Sequence, residues 1–132
     1  MEILKDLKDL KILLVDDNRV NQRIALLMFG QMQLKCDIAS DGKEAFEMVQ
    51  QKQYDLIFMD MLMPVMDGLE STKLIRAFEK DSDTLHQSII VALTGSEVAE
   101  NKDTCLEIGM NGFIEKPIRI ESIQEYVSIL IK

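Results

Sequence analysis

Ile12-Leu-Leu-Val-Asp-Asp-Asn18 is a run of four apolar residues that stops abruptly in two carboxylates and an amide. A strand buried on both faces reads this way at a polar edge, because neither face has to alternate with water. The pattern recurs where Asp55-Leu-Ile-Phe-Met59 runs into Asp60 and Ile89-Ile-Val-Ala-Leu93 runs into Thr94. Gly112-Phe-Ile114 makes a shorter strand ending near Lys116-Pro117. Leu34 to Ala39, with Lys35 and Asp37 interleaved, reads as a more polar strand at a sheet edge.

Helical spacing fills the intervals. Val20, Ile24, Leu27 and Met28 recur between Arg19 and Met32. Asp41-Gly-Lys-Glu44 has the form of a capped helix start, and Ala45, Phe46, Met48 and Val49 supply the buried side of that helix. Asp67-Gly-Leu-Glu70 is a second such start, carrying Leu69, Ile75 and Phe78, and the polar stretch Lys80 to Ser88 reads as a surface loop. A helix from about Ser96 to Ile108 is sparse in apolar residues (Val98, Ala99, Cys105, Leu106, Ile108), and Gly109 suits its C-terminal cap. The last helix, about Arg119 to Ile131, presents Ile120, Ile123, Val127 and Leu130.

Five strands alternating with five helices predict an α/β domain with a parallel sheet covered on both faces and right-handed crossovers. Function in such sheets gathers at the carboxyl ends of the strands. Those ends carry Asp16, Asp17, Asp60, Thr94 and Lys116.

Composition narrows the function. The 132 residues suffice for one core, and 47% hydrophobic and 29% charged residues are ordinary for a globular domain. A net charge of −8 argues against nucleic-acid or anionic-membrane binding, which need a basic face, and suits a protein that gathers cations. Cys36 and Cys105 make neither a disulfide framework nor a zinc site and read as small apolar residues, which points to a reduced, cytoplasmic setting. No apolar run reaches membrane-spanning length. Residues 1–10 lack the order of a signal peptide and read as a leader or linker remnant, with Ile3, Leu4, Leu7 and Leu10 at helical spacing.

Three carboxylates at one end of a sheet repel each other unless a cation sits among them, and oxygen ligands with room for water suit Mg²⁺. Phosphate oxygens commonly complete such sites. A lysine can balance a phosphate oxygen and a threonine hydroxyl can donate to another. The Asp60 carboxylate could then act as nucleophile and form an acyl phosphate.

Asp16-Asp17-Asn18, Asp60-Met-Leu-Met-Pro-Val-Met-Asp-Gly68, Thr94 and Lys116-Pro117, in this order and each at a strand end, resemble the receiver domain of two-component response regulators. The resemblance covers 11–132 and implies a flavodoxin-like, doubly wound, five-stranded parallel sheet in the order 2-1-3-4-5 with five helices. It makes Asp60 the phosphoacceptor, served by Thr94 and Lys116. It makes Asp16, Asp17, Asp60 and the Leu62 backbone carbonyl the Mg²⁺ ligands, with a cis peptide before Pro117. Thr94 and Phe113 would form the switch, Phe113 turning inward as Thr94 shifts. The donor would be a histidine kinase or histidine phosphotransfer protein, and the domain would catalyse its own phosphorylation and dephosphorylation without a separate substrate. Arg19-Val-Asn21 after Asp-Asp-Asn is similar to receivers of hybrid sensor kinases. Leu62 and Ser96 fall where the family tunes phosphoryl loss, and an apolar Leu62 predicts a long-lived phosphoryl group.

Plainer roles stand beside these. Thr94 with Glu97 also fits a helix cap, Phe113 a core aromatic, and Pro64, Asp67 and Gly68 a helix entry. His86 reads as a surface residue, and Met61, Met63 and Met66 as packing around the site loop. A flavodoxin-like electron carrier would need a glycine- and hydroxyl-rich phosphate loop where Asp-Asp-Asn stands. An aspartyl-phosphate hydrolase would need residues for a substrate cap, and an inert receiver-like module would have lost part of the acidic and lysine set. An apolar patch on the first helix would point to a histidine-bearing partner helix. One on the fourth helix, fifth strand and fifth helix would point to output or homodimerisation.

Overall fold

The computed structural model of the chain describes residues 6–63, 65–82, 86–95 and 98–131. Each apolar run forms a strand: β1 (Ile12–Val15), β2 (Cys36–Ala39), β3 (Leu56–Asp60), β4 (Ile89–Thr94) and β5 (Gly112–Glu115). Between and after them come α1 (Arg19–Gln31), α2 (Gly42–Gln51), α3 (Gly68–Asp81), α4 (Val98–Ile108) and α5 (Ile120–Ser128). All strands are parallel, in the order β2-β1-β3-β4-β5.

Successive side chains of a strand leave on opposite faces, and here both faces are covered. Leu13, Val15, Ile57, Met59, Ile90 and Ala92 join one core with residues of α2, α3 and α4. Ile12, Leu14, Leu56, Phe58, Val91 and Leu93 join another with Ala25 and Phe29 of α1 and Ile123 and Val127 of α5. Each fully enclosed Leu, Ile or Phe stabilises the fold by about 2 kcal/mol. Leu10 belongs to the second core and Leu7, in a short 3-10 turn (Leu7–Asp9), packs against it.

Short polar side chains start the helices by accepting from backbone N–H groups of the first turn. Asn18 accepts from Asn21 at 3.0 Å, Asp41 from Glu44 at 2.8 Å and Asp67 from Glu70 at 2.9 Å. Each such cap contributes about 1 kcal/mol. Gly109, at φ +117°, comes after α4 in a conformation that favours glycine.

Three expectations change. The helical spacing of Val20, Ile24 and Leu27 does not mark a core face: Val20 and Leu27 are each 65% exposed, and the buried residues of α1 are Ala25 and Phe29, with Gln22 and Met28 half-buried beside them. Apolar residues populate more than one face of α1, so periodicity alone does not say which face turns inward. The stretch Lys80 to Ser88 is not surface throughout, because α3 runs to Asp81 and Ser88 is buried. His86 is half-buried with Nε2 at 2.7 Å from the Tyr54 carbonyl. Ile3, Leu4, Pro64, Ser96 and Glu97, with the side chains of Val98 and Ala99, lie outside the described residues.

At the amino ends of the strands, Arg76 of α3 gathers polar groups. Its Nε donates to the Gly109 carbonyl at 2.9 Å, Nη2 to Asn111 Oδ1 at 2.8 Å and Nη1 to Glu79 Oε1 at 2.6 Å. Glu79 Oε2 accepts from Ser88 N–H at 2.9 Å and Ser88 Oγ at 2.7 Å, and Asn111 Oδ1 accepts from Ile90 N–H at 2.8 Å.

Candidate functional site

The sheet brings β1 and β3 side by side, so the carboxylates that end them meet. One oxygen each of Asp16, Asp17 and Asp60 lies within 4.8 Å of the others. Asp16 and Asp60 are buried, at 3% and 2% exposure, while Asp17 faces solvent. Asp16 is held from the start of α1: Oδ1 accepts from the Asn18 backbone N–H at 2.9 Å, and its carbonyl accepts from the Gln22 side-chain Nε2 at 2.6 Å. Three hard anionic oxygens, two screened from water and one reachable, are a donor set suited to a divalent oxygen-loving cation.

Lys116 enters from the end of β5. Its Nζ donates to Asp60 Oδ1 at 2.9 Å, and Leu62 N–H donates to the same oxygen at 3.2 Å. Burial nonetheless raises the Asp60 carboxyl above its ordinary value; the Lys116 ion pair and the Leu62 N–H oppose the rise, and Asp16 adds to it. The Lys116–Pro117 peptide is cis, as the family resemblance implies. Thr94 is buried at the end of β4 and receives Lys116 N–H on its carbonyl at 2.7 Å. Its hydroxyl reaches the Ile114 carbonyl only at 3.5 Å, a weak bond that leaves it available to a stronger acceptor. Phe113 is half-buried against the α2–α3–α4 core, with Lys102 Nζ of α4 at 5.7 Å from its ring centre.

The loop after β3 is partly exposed. Leu62 is 70% exposed, and Val65 takes φ +72°, a left-handed conformation that strains a β-branched residue. Met61 is buried beneath the loop, with Met63 and Met66 half-buried. Gly68 opens α3 against the Asp60 carbonyl so closely that a Cβ there would overlap it. Both thiols are pushed up by burial, Cys36 to about 12.

Every residue expected at the strand ends is thus brought together: Asp16, Asp17, Asp60, Thr94 and Lys116. The sequence does not single out Gln22, a half-buried amide one turn before Ala25 whose Nε2 reaches the Asp16 carbonyl. Beside the carboxylates lies a cleft of about 300 Å³ lined by Asp16, Ile24, Met28, Leu93, Lys116 and Ile118. The exposed Val20, Ile24 and Leu27 of α1 continue from it as an apolar surface.

A family model described as the response regulator receiver domain matches residues 12–128. The osmosensing histidine protein kinase of Saccharomyces cerevisiae is 43% identical over 121 residues, 87% of this chain and 10% of the kinase. Two hybrid signal transduction histidine kinases of Dictyostelium discoideum are 36% and 39% identical, and the chain spans 10% and 11% of their lengths. Among solved structures, the receiver domain of the Saccharomyces cerevisiae response regulator Ssk1, bound to the phosphotransfer protein Ypd1, superposes with a TM-score of 0.83. It is 30% identical, and the match covers 98% of this chain and 91% of that one. The receiver domain of a Pseudomonas aeruginosa sensor histidine kinase, with magnesium coordinated in its active-site cleft, gives 0.79 at 31% identity, covering 92% and 96%. The chain belongs to the response regulator receiver domain family of two-component signal transduction.

Proposed function

We propose that Asp60 accepts a phosphoryl group from a phosphohistidine, and that this shifts the domain between inactive and active conformations. The observation that carries the reading is the buried Asp60 carboxylate held at 2.9 Å by Lys116 beside Asp16 and Asp17. An Asp60 oxygen bonds to phosphorus as the P–N bond breaks, and the electron pair stays on the imidazole nitrogen, which takes a proton. Lys116 holds the nucleophile and pairs with the charge of the incoming group, while the Thr94 hydroxyl gives up its weak bond to Ile114 and donates to a phosphoryl oxygen. Asp16, Asp17, Asp60 and the Leu62 carbonyl would hold Mg²⁺, whose role is to neutralise charge on the transferred group. The magnesium in the Pseudomonas receiver supports this assignment. The domain catalyses its own phosphorylation and dephosphorylation and turns over no separate substrate.

The donor is a histidine-bearing helix of a kinase or phosphotransfer protein, seated on Val20, Ile24 and Leu27 beside the cleft. Ypd1 bound to the Ssk1 receiver supports a partner of this kind. The α4, β5 and α5 side is left for output or homodimerisation, with Leu106 and Ile129 exposed there. No helix among the described residues is long and apolar enough to cross a membrane, and a cytoplasmic setting fits such donors.

Acetyl phosphate with Mg²⁺, read by intact mass, tests the reading. One phosphoryl group should be gained, labile to hydroxylamine and absent in Asp60→Asn or with chelator. The exposed, apolar Leu62 beside the acceptor predicts slow loss in the same experiment followed over time. Loading that persists in Asp60→Asn would reject the assignment.

A further inference from the structure

β5 is an outer strand of the sheet, and outer strands leave backbone groups open to another chain. Its bonds to β4 come from alternate residues. Lys116 N–H meets the Thr94 carbonyl, so with the observed register Gly112 and Ile114 turn their backbone inward and Phe113 turns its own outward. Both outward groups of Phe113 are taken by one side chain of α5. Phe113 N–H donates to the Tyr126 hydroxyl at 3.2 Å, the stronger of the two contacts, and that hydroxyl donates weakly to the Phe113 carbonyl at 3.4 Å. A hydroxyl is suited to this double role because it accepts and donates at once.

Gly112 is what admits the ring. A Cβ at 112 would overlap the Tyr126 hydroxyl and crowd the ring carbons behind it. Phe113 is therefore gripped from two helices: Lys102 of α4 sits over its ring, and Tyr126 of α5 holds its backbone. We propose that the Tyr126 hydroxyl is a positioning contact that locks α5 to the outer edge of β5 and relays displacement of Phe113 to α5. The relay rests on the assignment of Asp60 as phosphoacceptor; the lock does not.

Amide-resolved NMR of the whole chain tests both with Tyr126→Phe, which keeps the ring and removes the hydroxyl. Loss of the Tyr126 acceptor of the Phe113 amide should speed its hydrogen exchange about tenfold or more, with Ile114 unchanged. Gly112→Ala, which displaces the ring, should do the same. Unchanged Phe113 exchange in Tyr126→Phe overturns the lock. With Mg²⁺ and beryllofluoride, a phosphoryl mimic, amides near Asp60 and along α5 should shift in the wild type. In Tyr126→Phe the shifts near Asp60 should persist while those of α5 fall to about half or less. Equal α5 shifts in both proteins overturn the relay. If Asp60 responds in neither, its assignment as phosphoacceptor falls and the relay with it, and exchange at Phe113 still decides the lock.

Discussion

The two ends of the sheet are built on opposite terms. At the amino ends, carboxylates are matched by close donors: Asp55 by the Lys11 backbone N–H at 2.8 Å, Asp37 by Lys52 and Tyr54 at 2.9 and 2.6 Å, and Glu79 by the Arg76–Ser88–Asn111 network. At the carboxyl ends, three carboxylates face one lysine, Asp60 has a raised pKa, and the Thr94 hydroxyl has only a distant partner. No buried side-chain N or O among the described residues lacks a partner, so the contrast is one of charge balance and bond quality. Under the proposed function, a domain that changes shape at one end benefits from an anchor at the other, and stability is conceded at the end proposed for the chemistry.

The largest expected effect comes from breaking the anchor. Arg76 and Glu79 side chains are only 12% and 8% exposed, so Arg76→Ala leaves a buried carboxylate short of its counter-charge. It should cost about 3 kcal/mol in a denaturant titration. Phosphoryl uptake at Asp60 should survive under conditions where the variant is folded; its loss would show that the two ends are not separable. A smaller effect of opposite sign is expected at the other end. Val65→Gly relieves the left-handed strain, and with the valine 78% exposed no packing is lost. After the added freedom of the unfolded chain is subtracted, a gain of about 0.5 to 1 kcal/mol should appear in the unfolding midpoint.

The smallest effect sharpens the contrast through pH. Lys52 first, and Tyr54 second, hold the Asp37 carboxyl below its ordinary 3.8. A depressed carboxyl contributes stability that is present above the unfolded value and lost as pH falls through the folded one. The pair is well exposed, so Asp37→Asn should cost only about 0.3 kcal/mol at neutral pH. The difference from wild type should fade on acidification below 3.8. A deficit that grew on acidification would contradict the pairing.

Much of this was legible in the chain. Asp16, Asp60 and Thr94 could be placed because each ends an apolar run too uniform to be anything but a strand covered on both sides. The caps Asp41 and Asp67 were legible because a carboxylate three residues before a backbone donor is a local device. The orientation of α1 was not, since Val20, Ile24 and Leu27 have the spacing of a core stripe and serve as surface. Only its tertiary neighbours select Ala25 and Phe29. The Arg76 network and the Tyr126 contact escaped for a related reason. Arg76 meets Gly109 and Asn111 across 33 and 35 residues, and Tyr126 meets Phe113 across 13. Polar residues on helix faces look like solvated ones until the topology brings their partners to them.

Gly68 contributes no side chain to the site, yet its hydrogen is all that fits against the Asp60 carbonyl. Any larger residue there would push on the backbone that carries Asp60, the proposed acceptor. A screen that scores variants by the chemistry of the altered side chain would pass Gly68→Ala as harmless. If Asp60 is the acceptor, a screen that scores phosphoryl uptake should instead group it with changes at Asp60 itself.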